Sequence, residues 1–169
     1  MDQPTEPHVP VAGEPAAAPS TQDAVSLLRA NHSRIQALLD DAALSAGVDG
    51  GGHADRSGTV ARLGAVLQAH VQMEAELLSP ALATGPAPAA HARHDELLAS
   101  LRALVAAEGA DAAAYNVALA QMQRAFAAHI ETQETKLLPQ LESSDVDLLA
   151  LGTRMSLRLG VLLGHQGVD

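Results

Sequence analysis

Four of the eight histidines stand where four successive helices could each direct one imidazole into a shared interior: His32, His70, His94 and His129. Two of them begin matching segments, HVQMEAELLSP at residues 70–80 and HIETQETKLLP at residues 129–139. In each segment a β-branched residue follows the His, a polar or carboxylate side chain comes four positions after it, an apolar pair lies near the end, and Pro comes last. This pattern indicates metal-site chemistry rather than packing alone.

The pair His70 and Glu74 carries the clearest part of that chemistry. Residues four apart on a helix share a face, with Cβ atoms about 5–6 Å apart. Both side chains can therefore reach one metal ion, or Glu74 can bridge two. A buried carboxylate is otherwise costly, and a cation removes that cost. Neutral imidazole with carboxylate suits Fe, Mn, Zn or Ni, and only nitrogen and oxygen ligands are expected because the chain has no Cys.

The other positions leave alternatives open. His91 lies three residues before His94, so both could face inward. His91 could equally be a neighbour of the ligands or a surface residue. The position four after His129 holds Gln133, a poor metal ligand, and Glu134 follows it. Regular helical spacing places Glu134 about 140° round the helix from His129, so this carboxylate needs a long reach or a local distortion to face the same interior.

The composition favours an all-α fold. Hydrophobic residues make up 47% of the chain, with one Tyr, one Phe and no Trp, so the core must consist of Leu, Ala, Val and Met. Ala and Leu are strong helix formers. Apolar residues at three- and four-residue spacing predict helices at about residues 20–44, 59–78, 89–107, 111–138 and 145–163. Ser20 or Thr21 can cap the first helix, and residues 47–58, GVDGGGHADRSG, predict a flexible loop.

The four histidines fall on the apolar stripes of these helices. The stripe of the first helix comprises Val25, Leu28, His32, Ile35 and Leu39. That of the second comprises Leu63, Val66 or Leu67, His70, Glu74 and Leu77. That of the third comprises His91, His94, Leu98, Leu101 and Val105. That of the fourth comprises Tyr115, Leu119, Met122, Phe126, His129 and Gln133.

The stripes and the tail composition divide the chain into three parts. We expect a disordered Pro-rich tail at residues 1–19, a four-helix bundle at residues 20–142, and a C-terminal helix and tail at residues 143–169. The C-terminal helix could cover one face of the bundle or contact a protein partner.

The charge of the chain excludes several classes of partner. The net charge of -10, from 10 basic and 20 acidic residues, repels nucleic acid and anionic membranes. The sequence contains no basic patch of the kind that binds nucleic acid and no apolar run of about 18 residues that would predict a membrane helix. It shows no secretion signal, so we expect a cytoplasmic protein.

The order of these residues resembles the hemerythrin-like family, the bacterial His/Glu cation-binding proteins. The order is His32, then His70-xxx-Glu74, then His94 preceded by another His, then His129 followed by an acid. The resemblance covers about residues 21–142 and includes the two matching segments and HDELL at residues 94–98. It implies an up-down-up-down four-helix bundle that holds two non-haem irons, oxo- or hydroxo-bridged, with Mn or Zn as other possible metals.

The resemblance also implies a set of metal ligands: His32, His70, Glu74, His94 and His129, with Glu134 as the second bridging carboxylate. Many family members have Glu four residues after the last His, where this chain has Gln133. The hemerythrins proper have an acid five residues after it, which is the position of Glu134. His91 is one position away from the second His that hemerythrins carry on the third helix, and it could be a shifted ligand.

The function implied by the resemblance is to bind, sense or detoxify O₂, H₂O₂ or NO, under oxidative or nitrosative stress. Two alternatives are a di-iron oxidase or oxygenase-type enzyme, and a non-catalytic bundle for iron storage or protein interaction. A single His on an apolar stripe is usually a hydrogen-bonded core residue. Four on four helices, one with a carboxylate four residues later, favour metal binding.

Overall fold

The computed structural model describes residues 22–46, 52–82 and 87–164, and at residues 46, 52–55 and 87–91 it describes the backbone alone. It contains five helices: α1, Ala24–Ala46; α2, which runs through Gly52–Met73, Glu74–Leu78 and Ser79–Ala81; α3, Ala87–Ala106; α4, which runs through Ala112–Thr132, Gln133–Leu137 and Leu138–Glu142; and α5, Leu148–Gly164. The predicted all-α class is confirmed. The predicted tail at residues 1–19 lies outside the described residues.

The first four helices form a closed ring of neighbours. Helix α1 packs on α2, α2 on α3, α3 on α4, and α4 on α1. Successive helices are joined by short connections, which makes neighbours antiparallel. The result is the predicted up-down-up-down four-helix bundle. Helix α5 packs on α1 and α2, so it covers the bundle as a fifth element.

Two apolar clusters fill the interior of the bundle. One contains Ile35, Leu39, Leu63, Leu67, Leu101, Leu119, Met122 and Phe126. The other, beneath α5, contains Leu28, Met73, Leu78, Leu138, Leu141, Leu151 and Met155. Along α1, His32 falls between Leu28 of one cluster and Ile35 of the other. The buried polar side chains therefore form a layer between two apolar layers, which keep water away from both sides.

Aspartates start three of the helices, including Asp147 before α5, whose Oδ1 accepts a hydrogen bond from the backbone N–H of Ala150 at 2.9 Å. Asp23 Oδ1 accepts a hydrogen bond from the backbone N–H of Ser26 at 2.9 Å, and Asp111 Oδ1 accepts one from Ala114 at 2.8 Å. Each bond satisfies one of the free N–H groups in the first turn of a helix. The cap of α1 is thus Asp23, whereas Ser20 and Thr21 lie outside the described residues.

The predicted loop at residues 47–58 is shorter than expected. Residues 47–51 lie outside the described part of the chain, and α2 already begins at Gly52. Arg56 and Thr59 are buried in this first part of α2, and the Arg56 guanidinium stacks over the Tyr115 ring at 4.6 Å. We attribute the extra helix to these tertiary contacts, which outweigh the low helix propensity of its glycines.

Helices α2 and α4 each contain one π-helical turn. The backbone N–H of Ser79 donates to Glu74 O, and that of Leu138 donates to Gln133 O. One residue, Ser79 or Leu138, separates each wide turn from a proline, Pro80 or Pro139. Proline has no N–H and its ring clashes with the carbonyl four residues earlier. A wider turn just before the proline relieves this conflict, and such turns are common at functional sites.

Two of the predicted faces differ from the structure. On α3 the buried residues are Leu97, Leu101 and Leu104, while Val105 is 48% exposed. The predicted stripe is therefore right at Leu101 and wrong at Val105, because apolar residues also occupy neighbouring positions of this Ala-rich helix. On α2 the π turn rotates the following residues, so that Leu78 is buried in place of Leu77.

Helix α5 is held at both of its halves. Gly152 lies so close to the start of α1 that a Cβ atom there would clash with the backbone of Gln22 and Ala24. Further along, Arg158 Nε donates to Glu76 Oε2 at 2.6 Å, which ties α5 to the π turn of α2. None of the described helices is both long and apolar enough to cross a bilayer.

Candidate metal centre

Six polar side chains from four helices meet in the layer between the apolar clusters. They are His32 of α1, His70 and Glu74 of α2, His94 of α3, and His129 and Gln133 of α4. All are buried, and the most exposed of them, His94, is 7% exposed. Polar groups are rarely buried together without partners or a metal, so this layer is where the bundle can do chemistry.

Glu74 lies at the centre of this group. Its Oε1 lies 3.1 Å from His70 Nε2 and accepts a hydrogen bond from Gln133 Nε2 at 2.6 Å. Its Oε2 lies 2.8 Å from His94 Nε2 and 3.7 Å from His129 Nε2. The two oxygens of one carboxylate therefore face different histidines on three different helices.

The histidines lie close to one another as well as to the carboxylate. The Nε2 atoms of His70 and His129 are 3.3 Å apart. The His32 ring centroid lies 5.0 Å from that of His70 and 5.6 Å from that of His129. One ligand atom each from His32, His70, Glu74 and His129 can be chosen so that all lie within 4.8 Å of one another. Such a set can surround one metal ion.

Several polar atoms of the layer have no partner among the described residues. They are Nδ1 and Nε2 of His32, Nδ1 of His70 and Oε1 of Gln133. A buried acceptor without a partner costs about 1–3 kcal/mol. An ordinary core histidine has a hydrogen bond to satisfy it, and His32 has none in the described part of the chain. A cation would satisfy its lone pair.

The electrostatics of the layer favour the forms of the side chains that bind metal. Burial lowers the pKa of His32 to about 4, and repulsion from His70 adds to this. Burial also lowers the pKa of His129 to about 4. Burial alone would raise the pKa of Glu74, but attraction and hydrogen bonds from its histidine neighbours outweigh it and hold that pKa well below its usual value. Neutral imidazole and ionised carboxylate are the metal-binding forms.

Gln133 takes the position that a second carboxylate would need. It follows His129 by four residues, as Glu74 follows His70, and its Nε2 also lies 3.1 Å from His129 Nε2. The spacing places Gln133 on the inward stripe of α4, and the structure buries it there, with Gln133 2% exposed. Its hydrogen bond to Glu74 is a contact between two helices that spacing along one helix does not predict.

Glu134 is not brought into the layer. It lies at the surface, where Arg29 Nη2 donates to its Oε2 at 2.9 Å. This hydrogen bond lowers the pKa of Glu134. The π turn that begins at Gln133 does not rotate the next residue far enough to face inward. His91, which the sequence predicts as a shifted ligand, a neighbour of the ligands or a surface residue, belongs to α3. Its side chain lies outside the described residues.

The donor set fits a metal ion on three grounds. Four imidazoles and one carboxylate are ligands that iron, manganese and zinc accept. At least four donor atoms are close enough to share one ion. Of the two unsatisfied ring nitrogens of neutral His32, the one with a free lone pair needs a cation or a hydrogen-bond donor. Five of the side chains that the sequence predicts as ligands, namely His32, His70, Glu74, His94 and His129, therefore lie together in one buried cluster.

Comparison with known proteins agrees with this chemistry. The sequence model of the family described as "Hemerythrin HHE cation binding domain" matches residues 23–141, which is most of the chain. The matched residues contain all of the cluster and the helices α1 to α4 that carry it. No curated protein and no solved structure matches the chain.

Proposed function

The chain belongs to the hemerythrin HHE cation-binding family, and we propose that its cluster holds two non-haem iron ions and handles O₂, H₂O₂ or NO. The observation that carries this proposal is the position of Glu74, whose Oε1 and Oε2 face different histidines. A carboxylate placed in this way suits a bridge between two ions. The metal-binding character of the domain is given by the family, and the iron and its number are our proposal.

The ligands would come from all four helices of the bundle. His32, His70 and His129 would bind metal on the Oε1 side of Glu74 and at the centre of the cluster. His94 would bind metal on the Oε2 side. Bound iron would supply the redox chemistry with a small oxidant that these side chains lack. Glu134 is not among the proposed ligands because Arg29 holds it at the surface.

The protein itself positions the ligands, sets the charge of the cluster and excludes water from it. The hydrogen bond from Gln133 fixes the rotation of the Glu74 carboxylate. The apolar clusters on either side exclude water from the layer. An amide in place of a second carboxylate leaves the cluster with one negative charge instead of two. A side chain that does not bind metal leaves a coordination position open for a small molecule. Both binding and turnover are therefore compatible with these residues.

An enzymatic role is the second candidate, and Gln133 favours it. An amide that hydrogen-bonds to Glu74 rather than binding metal leaves a position open for a substrate. Peroxide breakdown, NO reduction and O₂-dependent oxidation all need such a position. The protein partner of α5, and the cytoplasmic location, stay predictions.

The test is a ferrous titration of the metal-free protein without oxygen, followed by separate additions of O₂, H₂O₂ and NO. We expect two irons per chain and a change in the optical spectrum with at least one of the three. A change that reverses when the gas is removed indicates binding or sensing, whereas catalytic consumption of the reagent indicates an enzyme.

The matched variants are Glu74→Gln and Glu76→Gln, which make the same substitution two residues apart. Glu74→Gln should lose stoichiometric iron, while Glu76→Gln should keep it because Glu76 faces Arg158 outside the cluster. Iron binding that is equal in both variants would contradict the proposal. So would an iron-loaded wild-type protein that responds to none of the three reagents.

A further inference from the structure

A surface groove between α1 and α4 leads to the cluster. Its volume is about 550 Å³, and its wall includes Ser33, Ala37 and Ile130 together with His32. His32 is the cluster residue that lines this groove. It is 96% buried, since its exposed fraction is 4%, and its ring nitrogens have no partner among the described residues. The groove thus connects solvent to a ligand-type side chain.

Two carboxylates and one guanidinium line the outer part of the same groove. Asp40 lies on α1, where Gln36 Nε2 donates to its Oδ1 at 2.9 Å. Glu134 lies on α4, and Arg29 of α1 holds it across the groove, with Nη2 to Oε2 at 2.9 Å and Nε to Oε1 at 3.2 Å. Arg29 also lies near Glu142, at 3.8 Å. The groove therefore carries an uncompensated negative charge at Asp40, whereas Arg29 offsets the charge of Glu134.

We propose that this groove is the uptake route by which a hydrated divalent cation reaches the cluster. Asp40 attracts the cation into the groove, and His32 is the first ligand it meets. Arg29 opposes uptake because its charge offsets that of Glu134. The inference rests on the proposed function, since it needs a metal destination at His32 and its neighbours.

Another surface groove does not have these features. It lies between α2 and α3, is about 460 Å³, and is lined by Val60, Gly64, Leu101 and Val105 among others. No residue of the cluster lines it, and Arg102 is its charged lining residue. A cation gains nothing from this surface. The groove at His32, unlike this one, has carboxylates in its outer part and an unsatisfied ligand-type side chain in its wall.

The test measures the rate of Co²⁺ uptake by the metal-free full chain, by stopped-flow absorption at low ionic strength. Asp40→Asn should slow uptake by about threefold or more, because each carboxylate near the path attracts a divalent cation in proportion to its charge. Asp41→Asn is the matched control. It removes the same charge from the next residue of α1, which is exposed and does not line the groove, and it should slow uptake less than Asp40→Asn does because its carboxylate lies farther from the path.

Arg29→Gln should change the rate in the opposite direction. It frees the Glu134 carboxylate, so uptake should become faster by a factor similar to the slowing in Asp40→Asn. Both effects should shrink toward none at 1 M salt, where the screening length is about 3 Å. The amount of Co²⁺ bound at equilibrium should stay that of the wild type in all three variants, because none of them removes a proposed ligand.

A steric variant tests the path independently of charge. Ala37→Trp places a large side chain in the groove and should slow uptake at every salt concentration. Ala43→Trp, also exposed on α1 but outside the groove, should not. Stoichiometric uptake at equal rates in Asp40→Asn, Asp41→Asn and Ala37→Trp would overturn the route while leaving the metal site intact. Absence of any stoichiometric uptake by the wild type would overturn the proposed function and the route with it.

Discussion

Glu74 and Gln133 are the first residues of the two π-helical turns, and their side chains meet in the core, where Gln133 Nε2 donates to Glu74 Oε1 at 2.6 Å. Each residue follows a buried histidine by four positions, and a proline follows each turn after one further residue. The two halves of the bundle thus present the same local structure to the same point. They differ in that one side chain carries a charge and the other does not, and that difference should control the affinity for metal.

Gln133→Glu tests the importance of that difference. In the metal-free protein two carboxylates would face each other in the core, and like charges at such a distance cannot both ionise without cost. We expect the free energy of unfolding at pH 7 to fall by about 2–4 kcal/mol. With iron present the second carboxylate should strengthen binding, so the gain in unfolding midpoint on adding iron should exceed that of the wild type.

The control for this substitution is Gln121→Glu, which adds the same charge to an exposed position of α4. Its unfolding midpoints, with and without iron, should match those of the wild type. An equal iron-dependent gain in Gln133→Glu and in the wild type would contradict the placement of this residue beside the metal.

His32→Leu should make the metal-free protein more stable. Both ring nitrogens of His32 are buried without partners among the described residues, and Leu of similar size removes that cost, which is about 1–2 kcal/mol. The same variant should lose most of the stabilisation that iron gives the wild type. His94→Leu is the comparison, because it removes the partner 2.8 Å from Glu74 and should destabilise the metal-free protein. Urea unfolding of the two variants measures both effects.

Acid should destabilise the metal-free protein well above the pKa of its carboxylates. In the folded chain His32 and His129 stay neutral down to about pH 4, whereas their usual pKa is 6.5. Between these values the unfolded chain binds more protons than the folded one, so stability falls as the pH falls from 6.5 toward 4. The loss is at most about 3 kcal/mol for each histidine.

Urea midpoints of the metal-free protein at pH 7 and pH 4.5 measure this loss. The low pKa of Glu74 acts in the same direction at the acid end of the range. His32→Leu should show a smaller fall than the wild type, since one of the two responsible groups is gone. A wild-type midpoint that rises or stays constant on acidification would show that these imidazoles are not buried in the neutral form.

Gly152→Ala should loosen α5 from the bundle. A Cβ atom at this position would clash with the backbone at Gln22 and Ala24, and neither side can yield without moving a helix. We expect a loss of about 1–3 kcal/mol in the free energy of unfolding. Gly160→Ala is the control on the same helix. It meets nothing within 4 Å and should be neutral or slightly stabilising because Ala is the better helix former. Equal stability of the two variants would contradict the packing of α5 on α1.

Much of the fold follows from periodicity. The stripes of α1 and α4, from Val25 to Leu39 and from Tyr115 to Gln133, are buried as the spacing predicts. The spacing is informative there because polar residues separate the apolar ones. On α3 the spacing predicts the buried Leu101 correctly but misplaces Val105, since Leu97, Leu98, Leu104 and Val105 offer two adjacent faces and only packing against α2 and α4 selects between them.

The sequence predicts which histidines of the candidate site lie together. It predicts less well which side chain, Gln133 or Glu134, takes the position of a second carboxylate. The choice between Gln133 and Glu134 depends on the angle per residue after His129, and regular geometry was the only guide available from spacing. The shared prolines, Pro80 and Pro139, point to matching distortions in the two segments. The capture of Glu134 by Arg29, 105 residues away in sequence, is a tertiary contact that no local pattern shows.

The most direct test of the account is the metal content per chain of the wild-type protein, purified without chelator and then loaded with ferrous iron in the absence of oxygen. We expect close to two irons per chain, and a loss of that stoichiometry in Glu74→Gln. One iron per chain would contradict the bridging position proposed for Glu74. No stoichiometric metal, even after loading, would contradict the central claim and would leave the four histidines as core residues.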